Sequence, residues 1–187
     1  MPLIRAFIAL PLPAIVQKEI GEIQKHLKDS GADVKWDTPE KFHITLKFLG
    51  DIDEDAIDLL AAGVTNSIGD IAPIDLAFQT IGAFPTANRP RVIWIGGEEN
   101  EHVLKIQRQV ERVCESFGFA KDERSFHSHV TLGRVKSDRA AERLTAKLNS
   151  ITFKPLIARC TEVHFVRSVL KPAGSVYTLL KPIPFAS

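Results

Sequence analysis

A histidine followed two residues later by threonine and then leucine occurs twice in the chain. The first copy begins at His43 and contains Thr45, and the second begins at His129 and contains Thr131. A neutral imidazole accepts a proton and its cation donates one, while a hydroxyl hydrogen-bonds to an oxygen atom. The repetition predicts one site built from two halves, each of which brings one imidazole and one hydroxyl to a shared tetrahedral anion.

Both copies lie in apolar runs that alternate like β-strands, in which every second side chain shares a face. In the first run His43, Thr45 and Lys47 share the face that lines the predicted cleft, where Lys47 could help to attract phosphate. The predicted core-facing residues of this run are Phe42, Ile44, Leu46 and Phe48. The second run alternates in the same way around His129 and Thr131. Each strand is therefore expected to turn its imidazole and hydroxyl toward the same cleft.

The elements that must position these groups follow from apolar spacing and from capping residues. Helices are predicted from Pro13 to Gly31, from an Asp53 cap through Ile68, over Glu101–Phe117, and from a Ser137 cap through Leu148. The predicted strands are Arg5–Leu10, Phe42–Leu49, Ile74–Phe84, Arg91–Ile95, Phe126–Val135, Thr152–Val166 and Val176–Lys181.

This order of elements is repeated, with the final strand left over. We therefore expect an α+β fold of two similar lobes related by a pseudo-twofold axis. Each lobe is expected to be an antiparallel sheet with helices on its outer face, and the active cleft should lie between the lobes. A length of 187 residues and a hydrophobic content of 44% suit a single bilobal domain over residues 1–187.

Composition limits the classes of partner. A formal net charge of +1 argues against a broad nucleic-acid-binding surface but allows a local phosphate cleft. Cys114 and Cys160 lack the spacing of a metal or redox motif. The sequence shows neither a signal peptide nor an apolar run long enough to span a membrane, so we expect a soluble cytoplasmic monomer.

The paired phrases resemble the 2H phosphoesterase superfamily, and within it the RNA 2′,3′-cyclic phosphodiesterase family, historically called 2′-5′ RNA ligase. Residues 5–10, 47–50, 133–135 and 170–177 also resemble this family, so the likeness covers nearly the whole chain. One departure is Ser128, which stands where the family often has proline before its second catalytic histidine. The change alters local backbone stiffness and removes no reactive group.

The resemblance implies that the chain hydrolyses RNA 2′,3′-cyclic phosphate ends, or small cyclic nucleotides, to 2′-phosphomonoesters without metal or cofactor. His43 is expected to protonate the ribose 3′-oxygen and His129 to activate water, although the sequence alone leaves these two roles interchangeable. Thr45 and Thr131 are expected to hold the non-bridging oxygens, and Arg134 to contact the phosphate. The reverse reaction would join a cyclic end to a 5′-hydroxyl, giving reversible 2′-5′ RNA ligation.

The positions of three residues can be interpreted in two ways. Strict alternation places Arg134 on the face opposite His129, unless Gly133 marks a bulge or bend that returns it to the cleft. Phe48 and Phe7 could stack on a base or line the cleft, since stacking tolerates any sequence. Their alternation with apolar residues favours core packing instead.

Two rival functions remain open. A metal hydrolase would need three or more ligands, and the two motifs offer only histidine and threonine, of which threonine is a poor zinc ligand. A non-catalytic protein that binds RNA ends or cyclic nucleotides could use the same cleft, but phosphate binding alone would favour arginine and lysine.

Overall fold

The computed structural model of the chain describes residues 3–172 and 174–186. Met1, Pro2, Ala173 and Ser187 lie outside the described residues, and Ala173 is part of the family-like stretch 170–177. The helices are α1 (Ala14–Lys28), α2 (Ala56–Ile68), α3 (Glu101–Ser116) and α4 (Ala141–Ser150). The strands are β1 (Leu3–Pro11), β2 (Val34–Trp36), β3 (His43–Asp53), β4 (Ile74–Phe78), β5 (Thr80–Thr86), β6 (Arg89–Gly96), β7 (His129–Val135), β8 (Leu156–Cys160), β9 (Glu162–Lys171) and β10 (Gly174–Pro184).

The strands form two antiparallel groups that meet at the two motif strands. The first lobe contains β10, β9, β1 and β3 in that order, and the second contains β2, β7, β6 and β5. The bridge between β3 and β7 is the pairing of Ile44 with Val130, each the residue after a motif histidine. The two histidines therefore begin neighbouring antiparallel strands at the junction of the lobes.

Internal symmetry relates the two halves. The order β1-α1-β3-α2-β4 is repeated as β6-α3-β7-α4-β8. The contacts follow the same symmetry, because α1 packs on α4 where α3 packs on α2, and β4 pairs with its counterpart β8. Strand β10 is left over, as the sequence predicted, and so is the short β2, since no described strand lies between α3 and β7. The predicted α+β arrangement of two similar lobes is confirmed.

Amphipathic helices supply much of the core. The apolar stripes of α1 and α2 are buried along their length, whereas that of α3 is buried from Val103 to Val110 and reaches the surface at Phe117. These buried stripes pack against the apolar faces of the strands in one continuous cluster. Burial of apolar surface contributes about 25 cal/mol per Å² and is the main force that holds the helices of both lobes against the sheet. Within the described residues, no helix combines the length and apolar character needed to cross a bilayer.

Two predicted strands prove to be two strands each. The predicted strand over 74–84 divides at Gln79 into β4 and β5, and the one over 152–166 divides at Thr161 into β8 and β9. β4 and β8 pair with each other in a separate two-stranded sheet, while the strands of the two lobes form one eight-stranded sheet. The apolar alternation slips by one position at each break, from Phe78 to Ile81 and from Cys160 to Val163, and the prediction of single strands overlooked this signal.

Two predicted helix caps and two predicted strand starts were wrong. The first residue before α2 is Asp55, and Asp53 instead accepts a hydrogen bond from the Asp55 amide. The residue before α4 is Ala140, with a φ of 55°, while the Ser137 hydroxyl donates to Asp33. Strand β7 begins at His129 rather than at Phe126, and β8 begins at Leu156 rather than at Thr152.

Candidate active site between the two motif strands

Strand β3 bulges immediately after its motif. Thr45 pairs with Ala9 on β1, but the next pair joins Lys47 to Ile8, so Leu46 has no partner residue. The bulge shifts the alternation by one position. Leu46 and Lys47 are both buried, whereas Phe48 is 61% exposed. The predicted faces of Lys47 and Phe48 were therefore wrong: Phe48 returns to the side of His43, and Lys47 enters the core.

Strand β7 bulges at the matching position. Thr131 pairs with Trp94 on β6, the next pair joins Gly133 to Ile93, and Leu132 lies between them without a partner residue. Leu132 and Gly133 are both buried, and Arg134 is exposed. The bulge turns Arg134 back to the face of His129, which resolves the conflict with strict alternation.

A buried glutamine holds this second bulge. Gln24 on α1 is 1% exposed, and its side-chain amide donates to the Leu132 carbonyl and to the Asp37 carbonyl, both at 2.8 Å. The Leu132 carbonyl also accepts from the Asp37 backbone amide at 2.9 Å. The carbonyl of the bulged residue thus has two donors, as buried carbonyls require.

Both motif histidines are fixed in the same tautomer by the same contact. Nδ1 of His43 lies 2.6 Å from the Lys41 carbonyl, and Nδ1 of His129 lies 2.7 Å from the His127 carbonyl. A carbonyl only accepts, so each Nδ1 carries its proton and donates. When an imidazole is neutral, its Nε2 is therefore the free base, and in the cation Nε2–H is the available acid.

The hydroxyls of Thr45 and Thr131 and the guanidinium of Arg134 complete the candidate site around the two histidines. Nε2 of His43 is 3.1 Å from the Thr45 hydroxyl, which donates to it when the imidazole is neutral. Thr131 is half-buried on the corresponding face of β7. In the described part of the chain the Arg134 guanidinium makes no ion pair, and it lies close enough to lower the pKa of His129. These positions make one imidazole and one hydroxyl available from each lobe, with one arginine beside them.

The two imidazoles differ in their surroundings. The pKa of His43 falls to about 4, chiefly because burial penalises the cation and partly because His129 is near, while the hydrogen bond to Lys41 opposes the shift. The pKa of His129 is lowered too, first by burial and then by the charges of His127 and Arg134. Both groups are therefore mainly neutral at pH 7 when no anion is bound.

Aromatic rings cover His43. Phe7 stacks on the imidazole with centroids 4.8 Å apart and planes 25° apart, and the Tyr177 ring meets it edge-on at 5.5 Å. Phe7 is 3% exposed, in agreement with the core packing that its alternation favours, and one face of its ring lies against His43. Phe48 lies 6.0 Å from Phe7 and retains an open surface that a substrate could touch.

Lys47 anchors the segment that leads to the second motif. Its ammonium bonds to Glu111 on α3 at 2.6 Å and to the Ala120 carbonyl at 2.7 Å, and it lies 3.4 Å from Asp122. Glu111 also accepts from the Asp122 amide at 3.0 Å. Lys47 was expected in the cleft, but it is buried and links β3 to α3 and to the segment that precedes β7.

Sequence reasoning missed several residues around this group. Gln24 sits on a helix stripe that reads as apolar core, and only its burial beside a bulged carbonyl reveals its role. Phe84 and Trp94 come from strands that read as ordinary sheet, yet their rings lie 5.1 Å and 6.4 Å from the His129 ring. In the described ranges no three His, Cys, Asp or Glu side chains gather as a metal site.

The chain is similar to a known protein family and to curated proteins over nearly its whole length. Residues 12–171 match the family described as the 2′-5′ RNA ligase superfamily. An RNA 2′,3′-cyclic phosphodiesterase of Methanothermobacter thermautotrophicus is 33% identical over 176 residues, covering 94% of this chain and 95% of the relative. Another, from Methanocaldococcus jannaschii, is 32% identical and covers 95% of this chain and 98% of the relative.

Solved structures show the same fold. A protein of Thermus thermophilus superposes with a TM-score of 0.77 at 27% identity, covering 96% of this chain and 97% of that one. Escherichia coli LigT without ligand superposes with a TM-score of 0.78 at 22% identity over 100% of both chains. The fold of the two lobes is therefore shared along the full length of these chains.

Proposed function

This chain belongs to the 2′-5′ RNA ligase superfamily, and from that membership we propose that it hydrolyses RNA 2′,3′-cyclic phosphate ends to 2′-phosphomonoesters. The relatives named above as RNA 2′,3′-cyclic phosphodiesterases support this activity over nearly the whole chain. RNA ends, or small cyclic nucleotides with the same strained ring, are the proposed substrates. No metal or cofactor takes part in the proposed reaction.

The observation that carries the proposal is the matched orientation of the two imidazoles. Each Nδ1–H donates to the carbonyl two residues earlier, at 2.6 Å for His43 and 2.7 Å for His129. This contact leaves two Nε2 atoms, one from each lobe, for proton transfer. General acid and base catalysis needs such a pair, held within hydrogen-bond reach of the reacting oxygens.

In the proposed reaction the oxygen of a water molecule bonds to phosphorus while the bond from phosphorus to O3′ breaks. His129 Nε2 takes the proton of the water, and His43 Nε2–H gives its proton to O3′. The hydroxyls of Thr45 and Thr131 donate to the non-bridging oxygens, and the Arg134 guanidinium offsets their charge. The products are a 2′-phosphate and a free 3′-hydroxyl.

The acid role of His43 depends on the bound anion. Burial lowers the pKa of His43 to about 4 in the free protein, so the imidazole holds few protons at neutrality. An adjacent negative phosphate favours the imidazolium and raises the pKa of either histidine. We therefore propose that binding of the anionic substrate raises the pKa of His43 and so allows its imidazole to carry the proton that it gives to O3′.

Ligation by the same groups belongs to the same proposal. The oxygen of a 5′-hydroxyl in the place of water would bond to phosphorus while the bond from phosphorus to O3′ breaks. Its proton would pass to His129 and O3′ would take a proton from His43, which leaves a 2′-5′ linkage. Because water is in large excess, ligation requires a second RNA end that is bound and positioned. Hydrolysis is the expected main reaction.

The test uses a short RNA with a 2′,3′-cyclic phosphate, incubated with and without EDTA. Wild-type protein, His43→Ala and His129→Ala are compared, and the position of the terminal phosphate is mapped. We expect EDTA-resistant formation of a 2′-phosphate that both variants lose. Tight binding of the RNA without turnover by wild type would instead identify a binding protein, and loss of activity in EDTA would indicate a metal enzyme.

A further inference from the structure

Lys35 lies beside Arg134 on the cleft face of the second lobe. The two residues are directly opposite each other in the pairing of β2 with β7. Directly opposite residues of an antiparallel pair share one face of the sheet, with their Cβ atoms about 5 Å apart. Because the bulge at Leu132 turns Arg134 to the cleft, the side chain of Lys35 also lies on the cleft face.

Lys41 brings a second ammonium group to the same place from the segment that enters β3. It ends a short 3-10 turn (Pro39–Lys41), and its carbonyl holds Nδ1 of His43 at 2.6 Å. The Nζ atoms of Lys41 and Lys35 each lie 3.7 Å from the position that a Cβ at Gly174 would occupy. Two ammonium groups from separate segments therefore converge at the start of β10. We call Lys35 and Lys41 the lysine pair.

The positive charge of the lysine pair exceeds the negative charge around it. Among the described residues, neither lysine forms an ion pair. Burial raises the pKa of the neighbouring Asp37 carboxyl, while the charges of Arg134 and of both lysines oppose that shift. Glu40 is exposed, so water and salt screen its charge. Even with Asp37 ionised, the two lysines and Arg134 keep a surplus of two positive charges.

This surplus matches a substrate with two phosphate groups. A cyclic phosphate carries one negative charge, and so does the phosphodiester of an RNA chain. Each ammonium group reaches a phosphate oxygen at about 2.8 Å, so two that converge can bind one phosphate together. An anion between them also removes the repulsion of two like charges.

The lysine pair is close to the groups of the proposed reaction. Lys35 is one strand away from Arg134, which acts on the pKa of His129. Lys41 precedes His43 by two residues and orients its imidazole. A phosphate on the lysine pair would therefore belong to the same nucleotide as the reacting phosphate, or to its direct neighbour in the chain.

We propose that the lysine pair binds the phosphate on O5′ of the nucleotide that carries the cyclic phosphate. In RNA this phosphate is the diester that joins the last nucleotide to the one before it. The inference rests on the proposed function and adds a second phosphate site to it. The protein should accordingly prefer a cyclic end with a 5′-phosphate group to a nucleoside cyclic phosphate with a free 5′-hydroxyl.

The kinetic test uses three forms of adenosine 2′,3′-cyclic phosphate, which differ only at O5′. The first has a free 5′-hydroxyl, the second a 5′-phosphate, and the third a 5′-methyl phosphate diester. The diester reproduces the charge of the RNA linkage without adding a second base. We expect kcat/KM of wild type to be about tenfold to a hundredfold higher for the second and third forms, mostly through KM. Equal values for all three forms would overturn the inference.

Substitutions then locate the source of this preference. Lys35→Met and Lys41→Met should each lower the ratio of kcat/KM between the diester and the 5′-hydroxyl form. The double variant should bring that ratio to within about twofold of one. Lys18→Met, which removes an exposed lysine of α1, is the control for net charge and should retain the ratio. A ratio that survives in the double variant, or that falls equally in Lys18→Met, would contradict binding by the lysine pair.

A binding measurement separates this inference from the proposed function. Calorimetry compares adenosine 2′,5′-bisphosphate with adenosine 2′-monophosphate, and neither compound requires turnover. We expect wild type to bind the bisphosphate at least about tenfold more tightly, with an advantage that shrinks from about 0.05 M to 0.5 M salt. The double variant should lose this advantage. Equal dissociation constants would overturn the inference even if hydrolysis is observed, whereas tighter binding of the bisphosphate without any hydrolysis would overturn the proposed function alone.

Discussion

Phe48 and Arg134 occupy equivalent positions in the two lobes, each five residues after a motif histidine and each turned to the cleft by a bulge. In β3 the bulged residue is Leu46, and in β7 it is Leu132. Without the bulges both side chains would point into the core. The internal repeat therefore includes a backbone irregularity as well as a motif, while the chemistry placed there differs: one lobe offers an exposed ring and the other a guanidinium.

We expect this difference to appear in the kinetics of matched variants. Arg134→Ala should lower kcat/KM for a cyclic phosphate by about tenfold to a hundredfold, because it removes charge-assisted hydrogen bonds to the phosphate. Arg134→Lys should recover only part of the loss, since lysine lacks the planar bidentate donors. Phe48→Ala, the matched change in the other lobe, should cost less than Arg134→Ala. A larger loss in Phe48→Ala would contradict the assignment of the phosphate to Arg134.

The sequence predicts well what depends on local periodicity. The four helices, the two motif strands and the faces of the first four residues of each motif all follow from spacing alone. The bulges do not, because they are defined by the pairing of β3 with β1 and of β7 with β6. Lys47 shows the consequence: alternation places it in the cleft, while its actual partner is Glu111, 64 residues away. The division of two predicted strands does leave a local signal, the slip in alternation at each break, although alternation does not show which sheet a strand joins.

The pH dependence of the reaction should be bell-shaped, with kcat/KM reporting the free protein. One imidazole must be neutral and the other protonated, so kcat/KM rises through the lower macroscopic pKa and falls through the higher one. Burial lowers the pKa of both His43 and His129, the former to about 4. We therefore expect the optimum of kcat/KM below about pH 6.5, the ordinary pKa of histidine.

The optimum of kcat should lie at higher pH than that of kcat/KM. A bound phosphate anion favours the imidazolium form, which moves both macroscopic pKa values upward in the complex. Rates measured across about pH 4 to 9 with a nucleoside 2′,3′-cyclic phosphate check both statements. A flat profile, or optima that coincide, would argue against paired proton transfer by these histidines.

The roles of acid and base can be separated with a modified leaving group. Sulfur in place of the 3′ bridging oxygen gives a thiolate, whose conjugate acid has a pKa of about 8.5 and which therefore leaves without a proton. If His43 protonates O3′, His43→Ala should regain most of its lost kcat on the sulfur substrate. His129→Ala should remain defective on both substrates, because water must still lose a proton. Rescue of His129→Ala without rescue of His43→Ala would instead identify His129 as the acid and His43 as the base.

The buried pair of Lys47 and Glu111 should matter for stability and for the placement of His129. Lys47→Met leaves the Glu111 carboxylate buried without its cation, a change that typically costs about 3–5 kcal/mol of unfolding free energy. Lys47→Met combined with Glu111→Leu should recover most of that loss, because a buried ion pair and a packed apolar pair are often similar in stability. Urea denaturation of the single and double variants measures both values.

The exposed pair of Lys25 and Glu22 supplies the control, since its nitrogen–oxygen distance of 2.7 Å is almost the same and its side chains are more than half exposed. Lys25→Met should change the unfolding free energy by no more than about 1 kcal/mol. The Lys47 pair also holds the Ala120 carbonyl and the Asp122 amide, and this segment leads to the His127 carbonyl that orients His129. The apolar double variant should therefore fold and yet show reduced kcat, whereas full activity in it would mean that the pair contributes to stability alone.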